Sequence, residues 1–396
     1  MARGPTLGHL LREGGERGSS GPGRGTPAPR GTQLAQPIGD QLDRLPSVEQ
    51  DLAFQPVQRA DRLTASRMPS PAFAGRQRSC RSAYRNCVKI AVMGAGGLGG
   101  YFGARLTQGG HDVHFIARGA HLAAIGAAGL RVRSVRGDFE LPPERVSATD
   151  DPSSIGPCQV VLFTVKSYDT DAAARRLHPL LAPESAVISL QNGIDNEDKL
   201  AARIGAEHVV GGVAFIFAGI AEPGVIRDSG GPARIAFGEL DGRRSARLDA
   251  FLVACTESGI EAAIAPDIRV ALWSKWAFIC AQAGLTAATR LPIGEIRTSP
   301  AAWGLFQQVV AEAWRIGRAE DVPLPDDLVE QHLRFASGLE PDGRSSLYDD
   351  LVAGRRMELD ALLGELVRRA ERHGIPAPAG SALYAVLEPW ARRNAG

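Results

Sequence analysis

From residue 88 to about 265 the apolar positions fall in short β-branched runs divided by polar, helix-length stretches, and thereafter they recur with helical spacing. Val88-Lys89-Ile90-Ala91-Val92 predicts a strand, and the segment after the following glycines is compatible with a helix through Arg105 and Leu106. Asp112 to Ala117 predicts a second strand. Gln159 to Val165 and Ala186 to Leu190 are apolar on both faces, as in parallel strands covered by helices on either side. From about Pro266 the strand pattern stops. Ser299 followed by Pro300 predicts a helix start, with Leu305, Phe306, Val309, Val310, Ala313 and Trp314 on its apolar side. One long helix is expected from about Ser345 to His373, with Leu351, Met357, Leu362, Leu366 and Ala370 facing inward and a stop at Gly374. The alternation predicts the α/β class over 88–265, which Gly94-Ala95-Gly96-Gly97-Leu98-Gly99 between the first strand and its helix makes an N-terminal Rossmann dinucleotide-binding domain, followed by an all-α C-terminal domain over 266–396 with a cleft between them.

Composition changes the picture mainly before residue 88. The chain of 396 residues has a net charge of only +1, yet residues 1–87 hold 13 Arg and no Lys against 7 acidic residues. Glycine, proline, arginine and serine dominate there, so residues 1–87 are expected to be a disordered extension. A transit peptide, a nucleic-acid-binding arm and upstream sequence read from a misplaced start are the three readings. Glu13, Glu16, Asp40, Asp43, Glu49 and Asp51 argue against the first, and Val88 as a natural first residue favours the third, in which the extension is not native. The remainder carries 32 basic and 37 acidic residues, so no nucleic-acid partner is expected of it. Five dispersed cysteines form no CxxC pair, which suits reduced thiols in the cytoplasm and gives no metal site. No apolar run is long enough to span a bilayer, and no membrane partner is expected.

The chemistry begins at Gly94-Ala95-Gly96-Gly97-Leu98-Gly99, a GxGxxG between a strand and a helix. Gly94 permits a tight turn, Gly96 lets a pyrophosphate approach the backbone, and Gly99 allows the helix to pack close to the strand. The helix N-terminus adds free amides and a partial positive charge. At the end of the second strand, where a carboxylate would accept from a ribose 2′-hydroxyl, stands Arg118. A guanidinium matches a 2′-phosphate, so the expected cofactor is NADP(H); a solvated surface arginine is the plainer reading. Lys166 and Gln191-Asn192-Gly193 follow the next two strands, at the carboxyl edge where open α/β sheets bind ligands. His111, His114 and His121 have no metal-ligand spacing and are read as structural.

From Val88 onward the chain resembles the ketopantoate reductase (2-dehydropantoate 2-reductase) family. The resemblance rests on the glycine motif, Thr164-Val165-Lys166, Gln191-Asn192-Gly193 and Ala271-Leu272-Trp273-Ser274-Lys275-Trp276-Ala277. Ser345-Ser346 with Asp350, Gly354, Arg355 and Glu358, and then His373-Gly374-Ile375-Pro376-Ala377-Pro378, complete it. It implies an enzyme that reduces the ketone of 2-dehydropantoate with NADPH, a step toward pantothenate and coenzyme A. By that similarity Lys275 is the catalytic lysine, Glu358 supports it and Ser346 binds substrate, while Lys166 and Asn192 serve the cleft and cofactor positioning. A lysine suits the task, because negative charge grows on the ketone oxygen as hydride arrives. Many members carry asparagines where this chain has Ile279, Ala283 and Gly343, and Gln282 is the only nearby amide that could compensate. Two alternatives therefore stand: reduction of a different 2-oxo acid, and a regulator that senses NADP(H) without turnover. A homodimer is the possible assembly.

Overall fold

The computed structural model describes residues 87–396, so the expectation of a disordered extension falls, residue 87 apart, outside the described residues. Twelve strands are present among the described residues: β1 Lys89–Met93, β2 Asp112–Ile116, β3 Leu130–Ser134, β4 Phe139–Leu141, β5 Ser147–Thr149, β6 Val160–Phe163, β7 Ala186–Ser189, β8 Val209–Phe215, β9 Ala218–Glu222, β10 Val225–Asp228, β11 Arg234–Glu239 and β12 Glu261–Ile264. Eight of them form one sheet in the order β12-β11-β8-β7-β6-β1-β2-β5. Every neighbouring pair is parallel except β8 with β11. The chain winds outward from β1 to β2 on one side and to β6 on the other, so the strand order reverses beside β1. Ligands of such sheets bind outside the carboxyl ends at that reversal. Gly94 follows β1 there, and Thr164, Val165 and Lys166 follow β6.

The glycine motif shows why those two ends lie so close. Gly94 has φ +106°, and a Cβ on it would come within 2.9 Å of the Val165 nitrogen. The Thr164 hydroxyl donates to the Gly94 carbonyl at 2.7 Å. One turn into the helix Gly97–Gln108, a Cβ on Gly99 would sit 2.3 Å from both the Gly94 carbonyl oxygen and the Thr164 hydroxyl. No side chain fits there, which is how the helix packs directly against the strand. His111 and His121 are structural as expected: His111 accepts from the Val88 amide, and His121 accepts from the Gly224 amide and donates to the Ala95 carbonyl.

The antiparallel hairpin β9–β10 was not expected from the apolar pattern. It joins β3 and β4 in a second sheet of order β4-β3-β10-β9 that covers the helix Gly97–Gln108. Its strands are short and β9 is largely exposed, so no buried run announces it.

After β12 the described chain is helical. The helix Ile268–Thr289 runs through the centre of this half, capped by Asp267, whose carboxylate accepts from the Arg269 amide. Trp276, Cys280, Ala281 and Leu285 are almost fully buried along it. The Ser299 cap and Pro300 open the helix Pro300–Ala319 as expected, with Phe306, Val309, Val310 and Ala313 in the core. The single helix expected from Ser345 to His373 is instead two, Ser346–Val352 and Leu363–His373, the second ending at Gly374. Gly354 breaks it by taking a left-handed conformation, φ +63°. A continuous helix would set residues 346 and 358 about 120° apart. The break lets the chain after Ser346–Val352 swing Glu358 back toward the sheet.

Gly99→Ala is expected to destabilise the protein by about 1–3 kcal/mol despite the better helix propensity of alanine, because the methyl meets a backbone carbonyl that cannot move aside. Urea denaturation followed by circular dichroism measures it; an unchanged midpoint would contradict the close packing.

Candidate active site at the carboxyl edge of the sheet

Lys275 projects from the central helix into a crevice that it shares with Gln191, Asn192, Gly193, Leu272 and Ile279. The crevice therefore lies where β7 ends and the helical half packs against the sheet. Lys275 is half-buried, and among the described residues its ammonium makes no hydrogen bond or ion pair. Its Nζ lies 5.6 Å from the centre of the Phe215 ring. Burial lowers its pKa to about 8, partly offset by the negative charge of Glu358.

Asn192 is held by its backbone rather than by its side chain. The Asn196 side-chain Nδ2 donates to the Asn192 backbone carbonyl at 3.1 Å, and Gly193 turns the chain with φ +114°. Gln191 reaches back under the loop to donate to the Val165 carbonyl and the Thr170 hydroxyl, each at 2.8 Å. The carboxamide of Asn192, like the ammonium of Lys275, has no partner among the described residues. Two polar groups left unpaired in one narrow crevice are what a polar ligand would satisfy.

Glu358 corrects an expectation. Its direct partners belong to the sheet half: Lys166 Nζ donates to Oε2 at 3.0 Å, and the Ser167 amide donates to Oε1 at 2.8 Å. Lys166 also donates to Asp350 at 3.2 Å, and Arg355 donates to the same carboxylate at 2.8 Å. Burial opposes the charge of Lys166, but the two carboxylates outweigh it and its pKa is raised. Glu358 thus touches Lys166 and acts on Lys275 only through its charge, because the break at Gly354 aims it at the end of β6. Asp350, not singled out as a site residue, is part of this network.

Ser346 is the exposed first residue of its helix, and the cap is Ser345, whose hydroxyl accepts from the Tyr348 amide and pairs with the Thr286 hydroxyl at 2.7 Å. Ser345 is the one buried, which two adjacent serines cannot reveal in sequence. Arg118 stands after β2 with its side chain 73% exposed and bonded to Asp169 at 2.8 Å.

At the glycine turn, Gly96 caps the helix without a side chain, and a Cβ added to it would meet nothing within 4 Å. Gly97 is covered by the Ala218–Gly219 backbone, Ala95 is buried and Leu98 is half-buried. The open space over Gly96 and the free amides beyond it fit the pyrophosphate of a dinucleotide. Among the described residues no group of three or more His, Cys, Asp or Glu could hold a metal ion, and no helix is long and apolar enough to cross a membrane.

Residues 90–242 match the family described as ketopantoate reductase PanE/ApbA, and residues 267–390 match its C-terminal counterpart. The chain belongs to the ketopantoate reductase family. It is 33% identical over 299 residues to a 2-dehydropantoate 2-reductase of Caulobacter vibrioides, covering 75% of this chain and 97% of the relative. An uncharacterized oxidoreductase of Bacillus subtilis, YkpB, is 32% identical over 301 residues, 76% of this chain and 98% of the relative. A crystal structure of a PanE/ApbA family ketopantoate reductase from Ralstonia eutropha superposes with a TM-score of 0.71 at 34% identity, covering 78% of this chain and all of that one. This family member is accordingly an oxidoreductase that uses a nicotinamide cofactor.

Gly96→Ala separates folding from cofactor binding. Its methyl enters open space at an ordinary φ of −74°, so the unfolding midpoint should stay within about 0.5 kcal/mol of the parent while the nicotinamide dinucleotide binds at least about tenfold more weakly. Isothermal titration beside thermal denaturation reads both, and unchanged affinity would remove Gly96 from the cofactor cradle.

Proposed function

We propose that the chain reduces the ketone of 2-dehydropantoate to the 2-hydroxy acid with NADPH, with Lys275 as the proton donor. The observation that carries the proposal is the unpartnered ammonium of Lys275 beside the unpartnered amide of Asn192, at the edge of a dinucleotide-binding sheet. When bound, the cofactor supplies the hydride. Gly94, Ala95, Gly96, Gly97, Leu98 and Gly99 form the turn that would hold its pyrophosphate, with Lys166 and Asn192 lining the way to the reacting end. Arg118 would meet the 2′-phosphate. Its bond to Asp169 is exposed and worth at most about 1 kcal/mol, so a phosphate dianion can draw it away.

Lys275 has two tasks in this reading. Its ammonium hydrogen-bonds the ketone oxygen and then releases a proton to it as negative charge develops there. A pKa of about 8 suits a donor working near neutrality, still protonated yet weakened enough to give the proton up. Glu358 keeps that pKa from falling further and is itself fixed by Lys166 and the Ser167 amide. Asn192, and Ser346 at the start of its helix, would bind the substrate. Ile279 is an apolar wall beside Lys275 that would accept the side chain of other 2-oxo acids as well, and the second reading is the same chemistry on one of them. A cofactor-sensing regulator without turnover would have no use for a desolvated ammonium in the crevice.

The donor must be protonated, so kcat/KM for reduction should fall as pH rises through about 8. Glu358→Gln removes the charge that raises this pKa and should shift the alkaline limb to lower pH. Lys275→Ala should lower kcat at least about a hundredfold with NADPH binding retained. A flat pH profile, or near-parental turnover by Lys275→Ala, would exclude the lysine mechanism. Arg118→Glu should abolish the preference for NADPH over NADH, read as the ratio of kcat/KM values; equal use of both by the parent would refute the phosphate contact.

A further inference from the structure

Seven residues beyond Lys275 on the central helix is Gln282. Helical geometry turns it only about 20° from Lys275 around the axis and sets it about 10.5 Å further along, with Ile279 between the two on the same face. Thr286, the next on this stripe, is satisfied by its bonds to the Gln282 carbonyl and the Ser345 hydroxyl. Gln282 is different. It is only 7% exposed, yet its carboxamide has no hydrogen-bond partner among the described residues. Its amide atoms are not among the polar atoms sealed from solvent without a partner, so a ligand on that face can reach them and supply the missing hydrogen bond. Side chains on a helix lean toward its N-terminus, so the Gln282 amide leans back toward Ile279 and Lys275.

Resting on the reading of the substrate as 2-dehydropantoate, we infer that Gln282 is a specificity-determining residue that hydrogen-bonds the substrate's terminal hydroxyl. The stripe then matches the molecule in order. Lys275 faces the ketone oxygen, Ile279 packs against the dimethyl carbon next to it, and Gln282 takes the hydroxymethyl group beyond. The ketone and hydroxyl oxygens of an extended molecule are roughly 4–5 Å apart. Adding a hydrogen bond of about 2.8 Å at each end gives a span close to the helical offset of the two side chains. A carboxamide serves either polarity, donating to the hydroxyl oxygen or accepting its proton. Ile279 supplies what a quaternary carbon needs: apolar area and no polar group left unmatched.

The test compares 2-dehydropantoate with 3,3-dimethyl-2-oxobutanoate, which differs only in lacking the hydroxyl, using the full-length enzyme with NADPH. The parent should favour 2-dehydropantoate in kcat/KM, and Gln282→Leu, close in volume and apolar, should shrink the ratio about tenfold or more. Gln282→Met gives a second measurement that follows the natural side-chain length, should the leucine variant fold poorly. A merely structural role would depress both substrates together and leave the ratio where it was, which overturns the assignment. A parental ratio near one overturns it too and removes 2-dehydropantoate as the preferred substrate, whereas a high parental ratio that survives both variants rejects Gln282 alone.

Discussion

An ammonium without a counterion at its side is the constraint on which the site depends. Lys275 is carried into the crevice by a helix whose other faces are core, so the position of its backbone is set by Trp276, Cys280 and Leu285. Desolvation pulls its pKa down, and the nearest carboxylate that opposes this, Glu358, is engaged elsewhere. Had Glu358 bonded Lys275 directly, the ammonium would be held charged and occupied, a poorer donor on both counts. The arrangement instead gives Lys166 the tight partners and Lys275 the distant field. Two lysines in one site thus have their pKa values driven apart, Lys166 upward and Lys275 downward, by which of them the carboxylates touch.

The same ion-pair network joins the two halves of the fold. Lys166 follows β6 in the sheet half, while Asp350 and Glu358 come from the segment around the broken helix. The bonds span 184 and 192 residues of sequence. Two buried carboxylates on a half-exposed lysine add little net stability, since desolvation of the carboxylates cancels much of the attraction. Their effect is to fix where the helical half meets the sheet edge, and so how far the Lys275 amine lies from the end of β7. Gly354 matters to the chemistry for that reason, though it touches none of it.

How much of this was legible from sequence follows from the range of each interaction. The GxGxxG spacing is local and was legible, although the atoms that crowd Gly94 and Gly99 include Val165 and Thr164 at the end of β6. Strands β1, β6 and β7 are almost wholly buried and announce themselves by composition; β9, exposed and short, does not. Nothing in the residue pattern around Lys275 marks it, and only the family resemblance does. The partner of Glu358 was out of reach: a bend at Gly354 or a fraying start at Ser346 would each bring the two residues to one cleft, and nothing local shows that the chain doubles back at the glycine. Ser345 and Ser346 are chemically the same, and a difference of one residue in helix start decides which hydroxyl caps and which is exposed.

Residues along one face of the central helix also separate what the reaction needs from what the substrate needs. In the proposed reaction Lys275 deals with the charge that every ketone develops on reduction, so it carries no information about the side chain being reduced. In the same proposal Ile279 and Gln282, one and two turns further on, meet whatever lies beyond the ketone. Apolar walls discriminate weakly between molecules of similar size, whereas a carboxamide with no protein partner penalises any ligand that covers it without pairing it. Substitution at these two positions can therefore redirect the enzyme among 2-oxo acids without disturbing proton transfer, and a chain that keeps the lysine while changing them keeps its reaction and alters its substrate. If the proposal holds, the choice of acid lies in the seven residues that follow the ammonium, not in the glycine turn.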